Sequence, residues 1–250
     1  MQIAVFSDIH ANLPALEAVL RDADEVGVEE RWCLGDVVGY GASPDGCVDL
    51  VREHTDACLV GNHDLAALGE LDTSTFSSAA AAAVEWTAAN ASAASLQFLR
   101  GLEPADSSHA AALYHASPRD PVWEYVLWPE QAAECLLVQE RRVSLVGHSH
   151  VALFFSAEET EMSAGRPPEA RGWQAGAGTK LEIDQGRWLI NPGSVGQPRD
   201  GDSRAAWLEL DTEAWQATYH RVDYDIDRAA AAIERAGLPE QLAKRLFVGR

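Results

Sequence analysis

The sequence has no long apolar run, and this absence argues against a membrane-spanning protein. No stretch of the 250 residues approaches the roughly 18 to 20 uninterrupted apolar residues that a membrane-spanning helix needs. The alanine run Ala79–Ala83 is far too short. The first ten residues also lack the basic and apolar segments of a secretory signal. We therefore expect a cytoplasmic protein with no membrane partner.

Cysteines are few and widely spaced. The four of them, Cys33, Cys47, Cys58 and Cys135, include no C-x-x-C pair. This spacing indicates neither a disulfide framework nor a zinc knuckle, so we interpret them as reduced thiols. A chain of this length can bury an ample core without covalent staples. We predict one domain that spans residues 1–250.

Basic residues are also scarce, with 19 lysines and arginines against 39 acidic residues and a formal net charge of −20. Non-specific affinity for nucleic acid comes mostly from basic side chains that neutralise phosphates. We therefore do not expect duplex nucleic acid as a partner. The acidic excess is interpreted as a solvated surface.

Short apolar runs alternate with amphipathic segments over the first 150 residues, which is typical of an α/β protein. The predicted strands are Gln2–Ser7, Arg31–Leu34, Ala57–Val60, Ala111–Tyr114 and Val143–Val146. The predicted helices are Leu13–Val26, Pro44–His54, one or two within Thr75–Leu102, Pro129–Glu140 and Ile226–Phe247.

The alternation stops after residue 150, and the chain then has the pattern of hairpins. One predicted hairpin pairs Thr179–Asp184 with Arg187–Ile190, and the other pairs Arg204–Leu210 with Trp215–Val222. The segment Glu158–Gly178 is rich in proline, glycine and acids, and we predict a mobile loop there.

Polar residues follow the predicted strands, where an α/β sheet places its ligands. Five of the eight histidines lie there beside Asp, Asn or Gly: His10, His63, His115, His148 and His150. Imidazole nitrogen and carboxylate oxygen suit Mn, Fe, Zn, Ni or Co, and the absence of thiolates argues against a structural zinc site. Two ions ~3.5 to 4 Å apart need a shared anionic ligand, a role that suits Asp36.

These residues resemble the calcineurin-like metallophosphoesterases, in particular a bacterial and archaeal branch of small phosphodiesterase-like proteins. The resemblance covers about the first 155 residues and rests on five blocks in order: Asp8-Ile-His10, Gly35-Asp36, Gly61-Asn62-His63-Asp64, His115 and Gly147-His-Ser-His150. The later stretch Asn191-Pro-Gly-Ser-Val-Gly is also similar to this branch.

The resemblance implies a four-layer αββα sandwich of two mixed β-sheets flanked by helices. It implies two divalent transition-metal ions, with manganese expected first and Fe, Zn, Ni or Co as alternatives. The implied ligands are Asp8, His10 and His150 for one ion, Asn62, His115 and His148 for the other, and Asp36 as the bridge. The resemblance gives His63 a different role, stabilising the transition state or protonating the leaving oxygen. Glycine usually follows the histidine where Ala116 stands, which puts the second ion's geometry in question.

Other polar residues have two interpretations each. Asp64 orients His63 or caps a helix, and Asn12 contacts phosphate or caps a helix. Arg119 contacts phosphate bidentately or lies at the surface. The turn with Asn191, Gly193 and Ser194 contacts substrate or is only a tight turn. Trp123, Tyr125 and Trp128 stack on a nucleobase or belong to the core.

The expected function is hydrolysis of a small phosphate ester, with a phosphodiester favoured, by a hydroxide bridging the two ions while His63 assists the leaving group. Three alternatives stay open: a phosphomonoesterase similar to protein phosphatases, a dinucleoside polyphosphate hydrolase, and a non-catalytic interaction protein on the same fold. The presence of all seven ligand candidates and His63 favours an enzyme. The sequence leaves a homo-oligomer open and does not identify the substrate.

Overall fold

Twelve strands and eight helices are found in the computed structural model, which describes residues 1–158, 166–183 and 185–250. The strands are β1 (Gln2–Phe6), β2 (Glu30–Cys33), β3 (Ala57–Cys58), β4 (Ala105–Asp106), β5 (Ala112–Tyr114), β6 (Val143–Val146), β7 (Ala152–Ala157), β8 (Arg171–Gln174), β9 (Lys180–Glu182), β10 (Arg187–Pro192), β11 (Ala205–Asp211) and β12 (Gln216–Val222). The helices are α1 (Leu13–Val26), α2 (Pro44–His54), α3 (Asn62–Ala67), α4 (Ser78–Asn90), α5 (Ala93–Arg100), α6 (Pro129–Val138), α7 (Ile226–Arg235) and α8 (Glu240–Leu246).

The strands form two mixed sheets of six strands each. The first sheet has the order β3-β2-β1-β11-β12-β9, and the second has the order β4-β5-β6-β10-β7-β8. Strands β1, β2 and β3 run parallel to one another, as do β5, β6 and β10. The carboxyl ends of parallel strands share one sheet edge, so the loops after them lie together.

Alternating side chains build the layers. In β1, Ile3 and Val5 belong to the core between the two sheets, whereas Ala4 and Phe6 belong to the core under α1 and α2. This is the period of two that places successive strand residues on opposite faces. A third core lies on the other side of the second sheet, where Leu136 of α6 packs with Leu189. The predicted arrangement of two mixed sheets flanked by helices is confirmed.

Helix signals in the sequence are matched by the structure. The side chain of Asn12 accepts a hydrogen bond from the Ala15 amide at the start of α1, which ends at Gly27 with a left-handed φ of 85°. The segment Thr75–Leu102 forms two helices, each capped at its start by a serine side chain, Ser77 or Ser92.

One predicted hairpin is confirmed and the other is wrong. Strand β11 pairs antiparallel with β12. Strand β9, however, pairs with β12 in the first sheet, and β10 lies between β6 and β7 in the second. The last four residues of β10 are all buried, which suits a central strand, whereas β9 exposes alternate residues at a sheet edge. The turn residues between them gave no sign of this separation.

The predicted loop Glu158–Gly178 contains a strand, because β8 pairs antiparallel with β7 and forms an edge of the second sheet. Residues 159–165 of that loop lie outside the described residues. No helix in the described part of the chain is long and apolar enough to cross a membrane.

Candidate metal centre

Four buried side chains meet at the edge where β1, β2 and β6 end. One ligand atom from each of Asp8, His10, Asp36 and His150 can be chosen so that all four lie within 4.8 Å of one another. The Nε2 atoms of His10 and His150 are 3.1 Å apart. The Nε2 atom of His150 lies 3.5 Å from Oδ1 of Asp8. These distances are those of donors arranged around a single ion.

A second group lies beside the first and shares Asp36 with it. Asp36, His115 and His148 bring their ligand atoms within 4.8 Å of one another. Oδ1 of Asn62 lies 3.2 Å from Nε2 of His115. Oδ2 of Asp36 lies 3.5 Å from Nε2 of His10 in the first group and 3.7 Å from Nε2 of His115 in the second. The structure therefore brings all seven predicted ligands together in two groups joined by Asp36.

The backbone at this centre adopts a costly conformation. Positive φ angles occur at Asp8 (56°), His10 (52°), Asp36 (53°), His148 (62°) and His150 (60°). Side-chain-bearing residues seldom adopt this region unless their surroundings impose it, and such residues cluster at functional sites. Here the amide of Asp8 donates to the carbonyl of Gly35 at 3.0 Å, and that of His10 donates to the carbonyl of Asp36 at 2.9 Å. These hydrogen bonds hold the loop after β1 against the loop after β2.

Hydrogen bonds to backbone carbonyls select the ring nitrogen that faces the centre. Nδ1 of His10 lies 3.1 Å from a carbonyl oxygen, and the same atom of His115 and His150 lies 2.8 and 2.7 Å from one. Because a carbonyl only accepts, each Nδ1 carries the proton and each Nε2 offers a lone pair. His148 has the opposite arrangement, since its Nε2 lies 3.2 Å from the carbonyl of Trp123 and its Nδ1 is left as the ligand atom.

The donor set fits cations. Lone pairs of His10 and His150 face each other without a proton between them. Oδ1 of Asp8 and Oδ2 of Asp36 are buried and have no hydrogen-bond partner among the described residues. Burial raises the pKa of Asp8 from 3.8 to about 7, raises the pKa of Asp36 well above its usual value, and lowers the pKa of His10. A bound cation would lower the pKa of the two carboxyl groups, because ligation requires their deprotonated form.

Two glycines allow the close packing of this centre. A Cβ atom on Gly61 would lie 2.1 Å from Oδ1 of Asp36. A Cβ atom on Gly39, whose φ is 89°, would lie 2.6 Å from Nδ1 of His63. Any larger residue at either position would displace the side chain that it meets.

His63 lies beside the metal ligands and belongs to neither group. Its ring centroid is 4.9 Å from that of His10, 4.4 Å from that of Tyr40 and 4.9 Å from that of Phe76. Its backbone amide donates to Oδ1 of Asp36 at 2.8 Å. Nδ1 of His63 is buried and finds no hydrogen-bond partner in the described chain. The imidazole is therefore held in place by packing.

Asp64 holds loops together. Its carboxylate accepts hydrogen bonds from the amides of Val37 (3.2 Å), Val38 (2.9 Å) and Gly61 (2.9 Å). None of these bonds reaches Nδ1 of His63. The geometry supports the capping interpretation of Asp64 more than direct orientation of the imidazole.

The predicted substrate contacts are mostly engaged elsewhere. Oδ1 of Asn12 accepts from the Ala15 amide, which supports its capping interpretation, and its amide nitrogen donates to the carbonyl of Gly196 at 2.9 Å. Asn191 donates to the carbonyl of Gly147 at 2.6 Å, and the hydroxyl of Ser194 donates to the carbonyl of Asp8 at 2.8 Å. These contacts brace the ligand loops from behind.

Arg119 lies outside the cleft, whereas Ala116 is buried next to a ligand histidine. Arg119 is 42% exposed and lies 3.6 Å from a carboxylate oxygen of Glu124, and it does not line the cleft described below. Ala116 is buried and donates its amide to the carbonyl of Pro121. His115 keeps its contacts with the second group, so the methyl group of Ala116 does not move it out of the centre.

A cleft of about 730 Å³ opens from Asn62 and His63 toward solvent. Beyond these two residues its wall contains a set that we call the outer cleft: Phe76, Trp123, Tyr125, Arg199 and Arg245. The ring of Tyr125 stacks on that of His148 with centroids 4.1 Å apart. Trp128 lies outside this cleft and is 66% exposed.

Both arginines of the outer cleft were absent from the predicted site residues. Arg199 follows the Asn191-Pro-Gly-Ser stretch by a few residues, a signal that could have drawn attention to it. Arg245 lies on α8 near the end of the chain, and no motif surrounds it.

Comparisons with known proteins agree with this geometry. The sequence model of the calcineurin-like phosphoesterase superfamily domain matches residues 1–213. An uncharacterized protein of Methanocaldococcus jannaschii is 38% identical over 99% of this chain and 98% of its own length. The crystal structure of a metallophosphoesterase from Sphaerobacter thermophilus has a TM-score of 0.87 and 40% identity, covering 100% of this chain and 99% of that one. A hypothetical protein from Pyrococcus horikoshii, at 19% identity and a TM-score of 0.75, covering 100% of this chain and 98% of its own, shares the fold.

Proposed function

Because the chain belongs to the calcineurin-like phosphoesterase superfamily, we propose that it is a binuclear metallohydrolase that cleaves a small phosphodiester. The observation that carries this proposal is the pair of ligand groups joined by Asp36, in which buried lone pairs face one another. Asp8, His10 and His150 would hold one cation, and Asn62, His115 and His148 the other.

When bound, two divalent cations supply positive charge that activates water and offsets charge on the phosphoryl oxygens. The residues of the chain set where that charge lies. Backbone carbonyls fix the histidine tautomers, and left-handed backbone at five ligands fixes their direction. Manganese is the first cation to test, because the donor set combines imidazole with oxygen and contains no thiolate.

We assign His63 the task of assisting the leaving group. The imidazole lies next to the first ligand group and lines the inner end of the cleft. It ligates in neither group, so it is available to a substrate oxygen. Burial and the charge of Arg199 lower the pKa of His63, and an anionic substrate beside the ring opposes both effects because it favours the protonated form. The imidazolium would donate its proton to the departing oxygen.

The outer cleft favours a diester over a monoester. A diester carries a second organic substituent, which needs room beyond the reacting phosphate. The cleft extends from His63 along Phe76 and Trp123, whose rings meet edge to face at 5.4 Å. This apolar wall can cover an aromatic substituent such as a nucleobase.

The four cysteines are free, with Cys33, Cys47 and Cys135 buried. Free thiols in this number support the proposal of a cytoplasmic protein, because reducing compartments keep cysteines unpaired. A non-catalytic interaction protein is the rival function. The complete ligand set, together with the buried carboxylate oxygens that have no hydrogen-bond partner in the described ranges, gives that rival less support.

The proposal is tested by hydrolysis after metal removal and reconstitution. We expect the protein reloaded with Mn²⁺ to hydrolyse bis(p-nitrophenyl) phosphate with a higher kcat/KM than p-nitrophenyl phosphate, and the chelated protein to hydrolyse neither. A preference for the monoester would reject the diester assignment. Full activity after exhaustive chelation would reject the metal-dependent mechanism.

A further inference from the structure

Two arginines meet in the outer cleft of a chain that is poor in basic residues. The chain has 19 lysines and arginines and 39 acidic residues. With about two acidic residues for each basic one, a lysine or arginine side chain is expected to have a carboxylate partner. Even so, within the described ranges no aspartate or glutamate lies within 4.0 Å of the guanidinium of Arg199 or of Arg245. Two neighbouring cations without an aspartate or glutamate partner repel each other, and an anion between them removes that repulsion.

Hydrogen bonds and the ring of Tyr40 hold the two side chains in place. Arg199 donates to the hydroxyl of Tyr40 at 3.3 Å and to Oε1 of Gln197 at 3.0 Å. Nε of Arg199 is buried and has no hydrogen-bond partner among the described residues. Arg245 donates from Nε to the backbone oxygen of Arg250 at 2.5 Å. The guanidinium carbons of Arg199 and Arg245 lie 5.7 and 6.0 Å from the ring centroid of Tyr40.

The ring of Tyr40 separates Arg199 and Arg245 from the metal centre. The ring of Tyr40 is 4.7 Å from that of His10 and 4.4 Å from that of His63. The guanidinium of Arg199 lies over the ring of Tyr40, so a single ring separates its charge from both histidines. Burial and the neighbouring Arg199 lower the pKa of Arg245. The positive charge therefore continues outward from the metals along one wall.

We infer that Arg199 and Arg245 form a subsite for a second phosphate group, which the substrate carries next to the phosphate that reacts. A guanidinium binds phosphate through two parallel N–H donors, and two guanidiniums can share one phosphate. The substrate class is then a nucleotide with a chain of phosphates, its base covered by Phe76 and Trp123. Water adds to the reacting phosphorus, one P–O bond breaks, and the leaving oxygen takes a proton, while the second phosphate stays intact in a product.

The inference rests on the proposed function only in identifying the reacting phosphate. Arg245 belongs to α8, which lies beyond the residues 1–213 that match the superfamily domain. The subsite therefore joins a segment outside that domain to the centre within it.

The test compares two ligands that differ by one phosphate, AMP and ADP, the latter as its non-hydrolysable α,β-methylene analogue, binding to Mn²⁺-loaded protein in a calorimeter. We expect ADP to bind at least about tenfold more tightly than AMP to the wild type, because the extra phosphate gains charge-assisted hydrogen bonds. In Arg245→Gln this advantage should fall by about tenfold. Lys244→Gln is the matched control, since Lys244 is the adjacent residue on α8 and pairs at the surface with Glu240 at 2.7 Å. It should keep the wild-type ratio.

Arg245→Lys keeps the charge but not the fork of donors, and it should keep part of the preference for ADP. The inference is overturned if ADP binds the wild type no more tightly than AMP, or if Arg245→Gln and Lys244→Gln give the same ratio. Because binding is measured without turnover, this result is independent of hydrolysis. Failure of the wild type to hydrolyse a simple diester would reject the proposed function and leave the ratio to decide the subsite.

Discussion

The metal centre and the outer cleft are built in different ways. At the metal centre every ligand is buried, and the direction of each one except Asn62, which begins α3, is fixed by a backbone carbonyl or a left-handed φ. In the outer cleft the side chains come from loops and from α8, none of them is fully buried, and the two arginines are held by the ring of Tyr40 and by hydrogen bonds. The comparison teaches that the reaction and the choice of substrate belong to separate parts of the site. Changes at the centre should affect every substrate, and changes in the outer cleft should affect some substrates more than others.

The largest expected effect is that of Asp36→Asn. The amide removes a negative charge shared by the two ligand groups, so both cations should bind more weakly and kcat/KM should fall by at least about 10⁴-fold for every ester. Metal content and turnover are measured on the same preparation. The matched control is Asp49→Asn, an exposed aspartate on α2 paired with Arg52, which should change neither. A fall in kcat/KM for only one class of ester would contradict the distinction between the metal centre and the outer cleft.

Metal binding should stabilise the fold through the centre alone. Each site that binds the native state adds about 2.7 kcal/mol to the free energy of unfolding at a cation concentration of about 100 times Kd. Chemical denaturation with and without Mn²⁺ measures the gain in wild type, Asp36→Asn and Arg245→Gln. We expect Asp36→Asn to lose most of it and Arg245→Gln to keep it. Equal gains in wild type and Asp36→Asn would show that the stabilising ions bind elsewhere.

His63→Ala should separate metal binding from proton transfer. Both cations should remain, and kcat should fall by roughly 10²- to 10⁴-fold for an alkyl ester. The loss should be smaller for a nitrophenyl ester, because nitrophenolate departs without a proton. His54→Ala, at the exposed end of α2, is the control. Equal losses on both esters would reject the acid role, and a lost metal would show that His63 is itself a ligand.

The fold and the metal centre were largely predictable because their signals are local. Each ligand stands just after an apolar run, and parallel strands deliver such positions to one edge. The separation of β9 from β10 was not predictable from Gln185 and Gly186, since turn residues report a local bend and strand pairing depends on distant partners.

The two arginines of the outer cleft were not predictable for a related reason, whereas Trp123 and Tyr125, two of the stacking candidates, do line it. Arg199 and Arg245 are 46 positions apart in the sequence and meet only because α8 packs near Tyr40. The arginine predicted as a phosphate contact was Arg119, which follows a ligand histidine but pairs with Glu124 in the structure. Proximity to a ligand histidine therefore did not place Arg119 in the cleft.

The smallest expected effect comes from the aromatic wall. Trp123→Ala removes a ring from the outer cleft and keeps the backbone carbonyl that faces His148. We expect KM for a nucleotide ester to rise by about tenfold, because base stacking on one aromatic ring contributes on that order, and KM for a methyl ester to change little. Trp128→Ala removes an exposed tryptophan outside the cleft and should leave both values unchanged. A similar rise for both esters would show that Trp123 acts on the centre.

The most direct test of the binuclear centre is the number of cations that the chain binds. Wild-type protein is stripped with a chelator, reloaded with Mn²⁺ and freed of excess ion, and its metal content is measured by elemental analysis. Two ligand groups joined by Asp36 predict about two equivalents per chain. A tight stoichiometry of one in a fully active preparation would contradict the account.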